Sequence, residues 1–165
     1  MTSQLAALST TEISGLTTTQ IPALTTTQLG ALARVQLRAM TTTQFASLTP
    51  TQIGTLSTTQ IANLTGTELQ ALNATQFGAL TSAQIGALNT TQLTNLSATE
   101  ISTLSADQIS GLTTTQVASL NTTNISELST TQIESLAASQ IDALTPTQIN
   151  SMTVAQVAAM QTALT

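Results

Sequence analysis

The sequence predicts an all-α solenoid: about twenty tandem short helices, one per eight-residue repeat, wound around a continuous Ile/Leu core. Three observations lead there. An octad, seen cleanly at Thr113-Thr114-Thr115-Gln116-Val117-Ala118-Ser119-Leu120, recurs twenty times through residues 1–160 of a 165-residue chain without an insertion. A period so short and strict makes each unit pack mainly on other units of the array. The octad also opens with a helix-start signature. Finally, its two apolar positions are spaced so that neither one long helix nor a strand can bury both.

Counted from the residue after each Leu, position eight is Leu at seventeen places and Met at Met40, Met152 and Met160, and position five is always apolar. These forty side chains are the expected core. Position one is Ser, Thr or Asn in seventeen units, with Met1, Ala33 and Ala137 the exceptions. Position four is Gln in sixteen units, Glu at Glu12, Glu68 and Glu100, and Asn at Asn124. A small polar residue followed three positions later by Gln is a capping box. The cap side chain accepts the N3 N–H and the N3 side chain accepts the cap N–H, closing two donors that a helix start leaves unpaired. The preceding Leu and the apolar residue at position five match the hydrophobic staple that fixes how the chain enters the helix. Pro50 and Pro146 stand at position two, the first helical residue, where a missing N–H does no harm.

A single continuous helix fails because apolar residues spaced three and then five apart would drift about 80° per octad around its axis. Thr runs such as Thr25-Thr26-Thr27 are also poor in helix interiors. A β-solenoid fails because positions five and eight have opposite parity and would point to opposite faces of a strand. Gln, Ala and Leu do not favour strands either. The helix must break once per octad.

Taken from the N-terminus, residues 1–8 form an ordinary unit without a specialised polar end, so the ends are expected to stack or to belong to a longer array. Pro22, at position six, removes a helical donor and disfavours helix for Ile21, which predicts an irregular turn. Ala33 lacks a capping oxygen. Residues 26–40 could therefore fuse into one longer helix, with Leu29, Leu32, Leu37 and Met40 on one face and Arg34 and Arg38 outward; Gln36 inside that stripe argues against it. Ala137 raises the same prospect for residues 130–144. Beyond Met152 the pattern loosens and Gln161 is a poor cap, so a longer terminal helix over about residues 153–164 is expected to cover the last of the core. With no shift in composition and no linker, residues 1–165 read as one domain. Two buried side chains per octad do not offset the entropy of ordering eight residues, so stability must come from contacts between units, helped by Ala and Gly at positions six and seven.

Composition excludes several functions. The formal charge is −5, Lys and His are absent, and the only cations are Arg34 and Arg38, so no nucleic-acid partner is expected. Without Cys there are no disulfides, thiolate zinc sites or thiol chemistry. No apolar stretch approaches the length of a transmembrane helix, and residues 1–8 lack the basic and apolar regions of a Sec-type signal peptide. Ser and Thr abound but no His, Cys, Lys or Tyr is present to act as base or nucleophile, and the carboxylates are scattered over separate units. We therefore expect no enzyme, no catalytic residue, no metal site and no cofactor.

Four features are weighed as sites. The Gln column could form an amide ladder, and capping accounts for it; neutral amides also avoid the repulsion of a carboxylate row. Thr at positions one to three forms hydroxyl rows like those of ice-binding proteins, although the cap already explains the first two positions. Glu100, Asp107, Glu127, Glu134 and Asp142 make the C-terminal half acidic while both Arg lie in the N-terminal half, which suits a solvated surface or head-to-tail attraction between chains. No Asp-x-Asp-x-Asp-Gly loop supports calcium. Asn63, Asn73, Asn89, Asn95, Asn121 and Asn124 each start an N-glycosylation sequon, a frequent chance match in a Thr-rich chain.

The unit Leu16-Thr17-Thr18-Thr19-Gln20-Ile21-Pro22-Ala23-Leu24, repeated over essentially the whole chain, resembles octapeptide arrays of very large bacterial secreted or cell-surface proteins of adhesin or RTX-like type. The glycine-rich calcium nonapeptides of RTX proteins are absent. The resemblance implies a bacterial, extracellular or cell-surface spacer or scaffold, with a cytoplasmic location as the alternative, and carries over no catalytic residue. The expected role is a non-enzymatic structural repeat: a spacer, stalk or self-assembling filament segment. A peptide- or protein-binding solenoid is the second expectation and an ice-binding Thr array the third. The expected partners are further copies end to end or an unidentified protein, with no insertion into a membrane. The only aromatics, Phe45 and Phe77, both fall at core position five, so no aromatic surface patch marks a partner.

Overall fold

The computed structural model describes Leu5 and residues 7–165. Nineteen short helices follow one another and no strand occurs among the described residues. Most have four to six residues, and the last, Val154–Ala163, has ten. The expected first unit, residues 1–8, lies mostly outside the described residues.

Residues 49–56 show why the octad folds this way. Thr49 is extended (φ −74°, ψ 154°), and its hydroxyl accepts the Gln52 N–H at 3.2 Å while the Gln52 Oε1 accepts the Thr49 N–H at 2.8 Å. The helix Pro50–Thr55 then closes its first turn with Ile53 N–H donating to the Thr49 carbonyl at 3.0 Å, and tightens at its end with Leu56 N–H donating to the Ile53 carbonyl at 3.2 Å. Leu56 and the next cap, Ser57, are both extended, and these two residues redirect the chain. No described residue has a positive φ. The helices end without the left-handed glycine that so often closes a helix.

The chain divides into two compact units, Met1–Leu80 and Thr81–Thr165. Inside each, a helix packs on the third helix along. In the first unit Thr10–Ser14 meets Arg34–Leu37, and Pro50–Thr55 meets Ala74–Gly78; in the second, Ser82–Gly86 meets Ala106–Ser110, and Thr122–Ser126 meets Pro146–Ser151. This repeated packing is solenoid-like, as the octad predicts.

Small residues stand where those turns touch. A Cβ on Gly86 would lie 2.6 Å from the Gly111 carbonyl oxygen, and one on Gly54 would lie 2.9 Å from that of Ala79. One on Gly111 would run into the Ser82 carbonyl. Here glycine serves close approach rather than an unusual backbone angle.

The core is built from positions five and eight. Ile13, Phe45, Ile53 and Phe77 in the first unit, and Ile85, Leu93, Ile101 and Ile133 in the second, are completely buried. Leu8, Leu16 and Leu24 are half-buried at position eight, whereas Ile13, Ile21 and Leu29 of the same stretch are buried at position five. Towards the other end Ile149 and Val157 are half-buried at position five. Position eight is thus covered by the preceding turn of the array, and position five by the following one.

Three local expectations are corrected. Residues 26–40 do not fuse: Thr26–Gly30 and Arg34–Leu37 are separate helices, and Ala33 takes the ordinary cap geometry (φ −67°, ψ 158°) with no side-chain cap. Ala137 behaves likewise (φ −69°, ψ 156°) between Thr130–Glu134 and Ala138–Ile141. Half a capping box is enough, since Gln36 and Gln140 still accept the N–H of Ala33 and Ala137. Burial of Leu32 and Leu136 holds the break in place. Pro22 does not interrupt its own position either. It lies inside Gln20–Ala23, and the irregularity falls upstream, at Thr18 and Thr19, where a turn replaces the first helical residues.

Candidate functional site

The glutamine column is the most regular chemical feature of the array. Each amide oxygen caps its own octad, as the sequence predicts. Its nitrogen reaches elsewhere. Gln44 Nε2 donates to the carbonyls of Ile13 at 2.8 Å and Leu16 at 2.7 Å, and Gln76 Nε2 to those of Phe45 at 3.2 Å, Ala46 at 3.1 Å and Leu48 at 2.6 Å. Gln36, Gln52 and Gln60 do the same in this unit. In the second unit Gln116 donates to Ile85 at 2.9 Å and Leu88 at 2.7 Å, and Gln156 to Ile125 at 3.0 Å and Leu128 at 2.7 Å. Gln132, Gln140 and Gln148 repeat the pattern.

These glutamines share one register: each meets positions five and eight of the octad four earlier. The position-five carbonyl already accepts the position-eight N–H of its own octad, as in Leu16 N–H to Ile13 at 3.2 Å, so the amide is a second donor there, while the position-eight carbonyl lies just past the helix end. One side chain therefore closes a helix start with its oxygen and a distant helix end with its nitrogen. Helices contact the third neighbour and glutamines reach the fourth, so each turn takes between three and four octads.

Sequence reasoning missed this second half. The signal was present in the choice of amide over acid: a capping box accepts Glu as readily as Gln, but only Gln can also donate. Avoidance of charge repulsion is at most a secondary reason for the preference. Burial follows the same logic. Gln20 is exposed and Gln28 half-buried, while Gln44, Gln76, Gln116 and Gln156 are 1–3% exposed.

The other candidates do not converge. The first Thr of each triplet is occupied as a cap, as in Thr113 accepting the Gln116 N–H at 3.2 Å, and most of the outer Thr are exposed, Thr26 and Thr90 being half-buried. Asp107, Glu127, Glu134 and Asp142 are exposed and Glu100 half-buried, each on its own octad. The N–H and hydroxyl of Ser9 hold the Glu12 carboxyl below its ordinary value. Among the sequon asparagines, Asn73, Asn89 and Asn121 are caps through their oxygen, Asn63 donates to the Thr59 carbonyl at 2.8 Å, and Asn124 is buried. Asn95 is exposed. Phe45 and Phe77 lie in the core, as their position predicts. Among the described residues no pocket forms and no three His, Cys, Asp or Glu side chains gather as metal ligands. No helix is long and apolar enough to cross a membrane.

Residues 2–34, 35–67 and 67–98 match the family model of the ALTTAQ repeat, three tandem matches over more than half of the chain. Each match spans about four octads, the same interval over which a glutamine reaches from one turn to another. No curated protein and no solved structure matches the chain.

Proposed function

The chain belongs to the ALTTAQ repeat family, and from that premise we propose that it is a non-enzymatic structural element, a spacer or stalk segment of a bacterial secreted or surface protein. The fate of the glutamines carries this reading. The most regular polar group of the repeat is consumed at both ends inside the array, and the side chains left outside are mostly Thr, Ser and Ala with little charge. A repeat built this way encodes length. Blocks of four octads restore the brace register, so the array can be lengthened or shortened without a new kind of contact.

Excision of residues 113–144, four octads, tests the reading directly. The shortened chain should keep its helical circular dichroism per residue and a cooperative melt, while dyes placed near its two ends move closer together. Loss of the fold, or an unchanged end-to-end distance, would overturn the spacer role. In the producing cell, external protease should remove the array from intact bacteria; full protection would overturn its placement at the surface. No thermal hysteresis is expected, and its detection would favour the ice-binding reading.

A further inference from the structure

The chain's only two cations sit in one octad that departs from the pattern at nearly every surface position. Residues 33–40 carry Ala33 in place of the cap hydroxyl, Arg34 at position two, Val35 at position three and Arg38 at position six. Val35 is 65% exposed, and position three elsewhere holds Thr, Ser, Ala or Asp. The Arg38 N–H donates to the Arg34 carbonyl at 3.0 Å, a single helical turn that puts both guanidinium stems on one face. Both Arg are exposed and neither pairs with a carboxylate among the described residues. The result is a small face with two free forks beside one free apolar side chain.

Charge is divided unequally between the two units. In Met1–Leu80 the two Arg are balanced by Glu12 and Glu68, whereas Thr81–Thr165 holds Glu100, Asp107, Glu127, Glu134 and Asp142 and no base, so it carries the whole net charge of −5. Four of those five carboxylates are exposed. A surface otherwise of Thr, Ser and Ala offers few competing charges.

We propose that the Arg34–Val35–Arg38 face is a docking surface for a second copy of this chain, taken up by the acidic unit of that copy. The proposal is independent of the spacer reading, since copies can associate whatever the array serves. Guanidinium forks match carboxylates geometrically, and complementary charge sets orientation and encounter rate. Exposed ion pairs are individually weak, so the association is weak and sensitive to salt. Val35, exposed at the side of the pair, adds apolar area that association can bury.

Sedimentation velocity over a concentration series tests it, at an ionic strength of about 10 mM and again at about 500 mM, where screening shrinks from roughly 30 Å to a few Å. At low salt the weight-average sedimentation coefficient should rise with concentration, and at high salt it should stay at the monomer value. The double variant R34A/R38A should weaken association at least tenfold at low salt with an unchanged helical spectrum. Glu134→Gln with Asp142→Asn should weaken it in the same direction, and R34K/R38K should retain most of it. A monomer under all conditions would overturn the proposal, as would association that ignores salt or survives R34A/R38A. Binding of the wild-type chain to phosphatidylglycerol vesicles through the two Arg, without self-association, would assign the face to a membrane surface and also overturn it.

Discussion

Glu68 in the first unit and Asn124 in the second occupy the same octad position as the glutamines, and each fails as a brace for the opposite reason. Glu68 has the length of Gln but no donor. It is 5% exposed, its carboxylate accepts the Thr65 N–H, and it donates to none of the carbonyls of Leu37, Arg38 and Met40 that the register places opposite it. Asn124 has the donor but is one methylene short. It is 2% exposed, and its Nδ2 is the one buried side-chain polar atom without a partner among the described residues. Its octad also loses half of the capping box: Asn121 accepts the Asn124 N–H, but Asn124 does not reach back. The pair teaches that the column requires both properties at once, an amide and a three-carbon reach from Cα.

The largest effect should come from cutting an intact brace. Gln116→Ala removes the acceptor for the Thr113 N–H and the donor to Ile85 and Leu88. At roughly 1 kcal/mol for each of three bonds, it should destabilise by about 3 kcal/mol, read as a lower urea midpoint. Gln116→Glu should lose about two-thirds of that, because the cap survives. If the two variants melt together, the reach between turns contributes nothing. Repairing the short brace comes next. Asn124→Gln should stabilise by about 2 kcal/mol, since it relieves a buried unpaired amide and restores bonds to the carbonyls of Leu93 and Leu96. A loss of stability would mean that the cavity around Asn124 has closed and cannot take the longer side chain.

Glu68→Gln isolates the donor alone, with length and shape unchanged. It should stabilise by about 2 kcal/mol, the reverse of Gln116→Glu, and native-state hydrogen exchange should slow at the amides of residues 33–40 and 65–72 more than elsewhere. A uniform change, or none, would show that the carboxylate already finds an adequate partner.

Much of this fold is legible in the sequence because the octad states its local geometry redundantly. Cap residue, N3 amide, staple pair and Pro50 agree on one register, and each is a short-range signal. The interval between turns is a different kind of quantity. Nothing within one octad specifies that Gln44 should meet Ile13 and Leu16, because every octad looks alike and a reach of three, four or five units is equally periodic. Only close approach decides it, through small residues such as Gly86 against Gly111. The unpaired Asn124 amide was equally hidden, since Asn caps and Gln caps read alike until the reach between turns is known. For the same reason the missing cap at Ala33 does not fuse its helix with the one before it. A helix start here is held from four sides, and one missing hydroxyl does not move it.

That redundancy makes the smallest prediction the sharpest test of register. Thr113 and Thr114 are neighbours of the same type, both exposed, and composition gives no reason to treat them differently. Thr113 is extended (φ −76°, ψ 158°) and its hydroxyl accepts the Gln116 N–H, whereas Thr114 is the first residue of the helix Thr114–Ser119. Thr113→Ala should therefore destabilise by about 1 kcal/mol. Thr114→Ala should be neutral or slightly stabilising, since alanine is the better helix former. Ala33 shows that the loss is survivable, as its octad folds with the same cap backbone and only the amide half of the box. Equal losses at the two sites would place the cap elsewhere, and with it the whole assignment of which glutamine atom faces which turn.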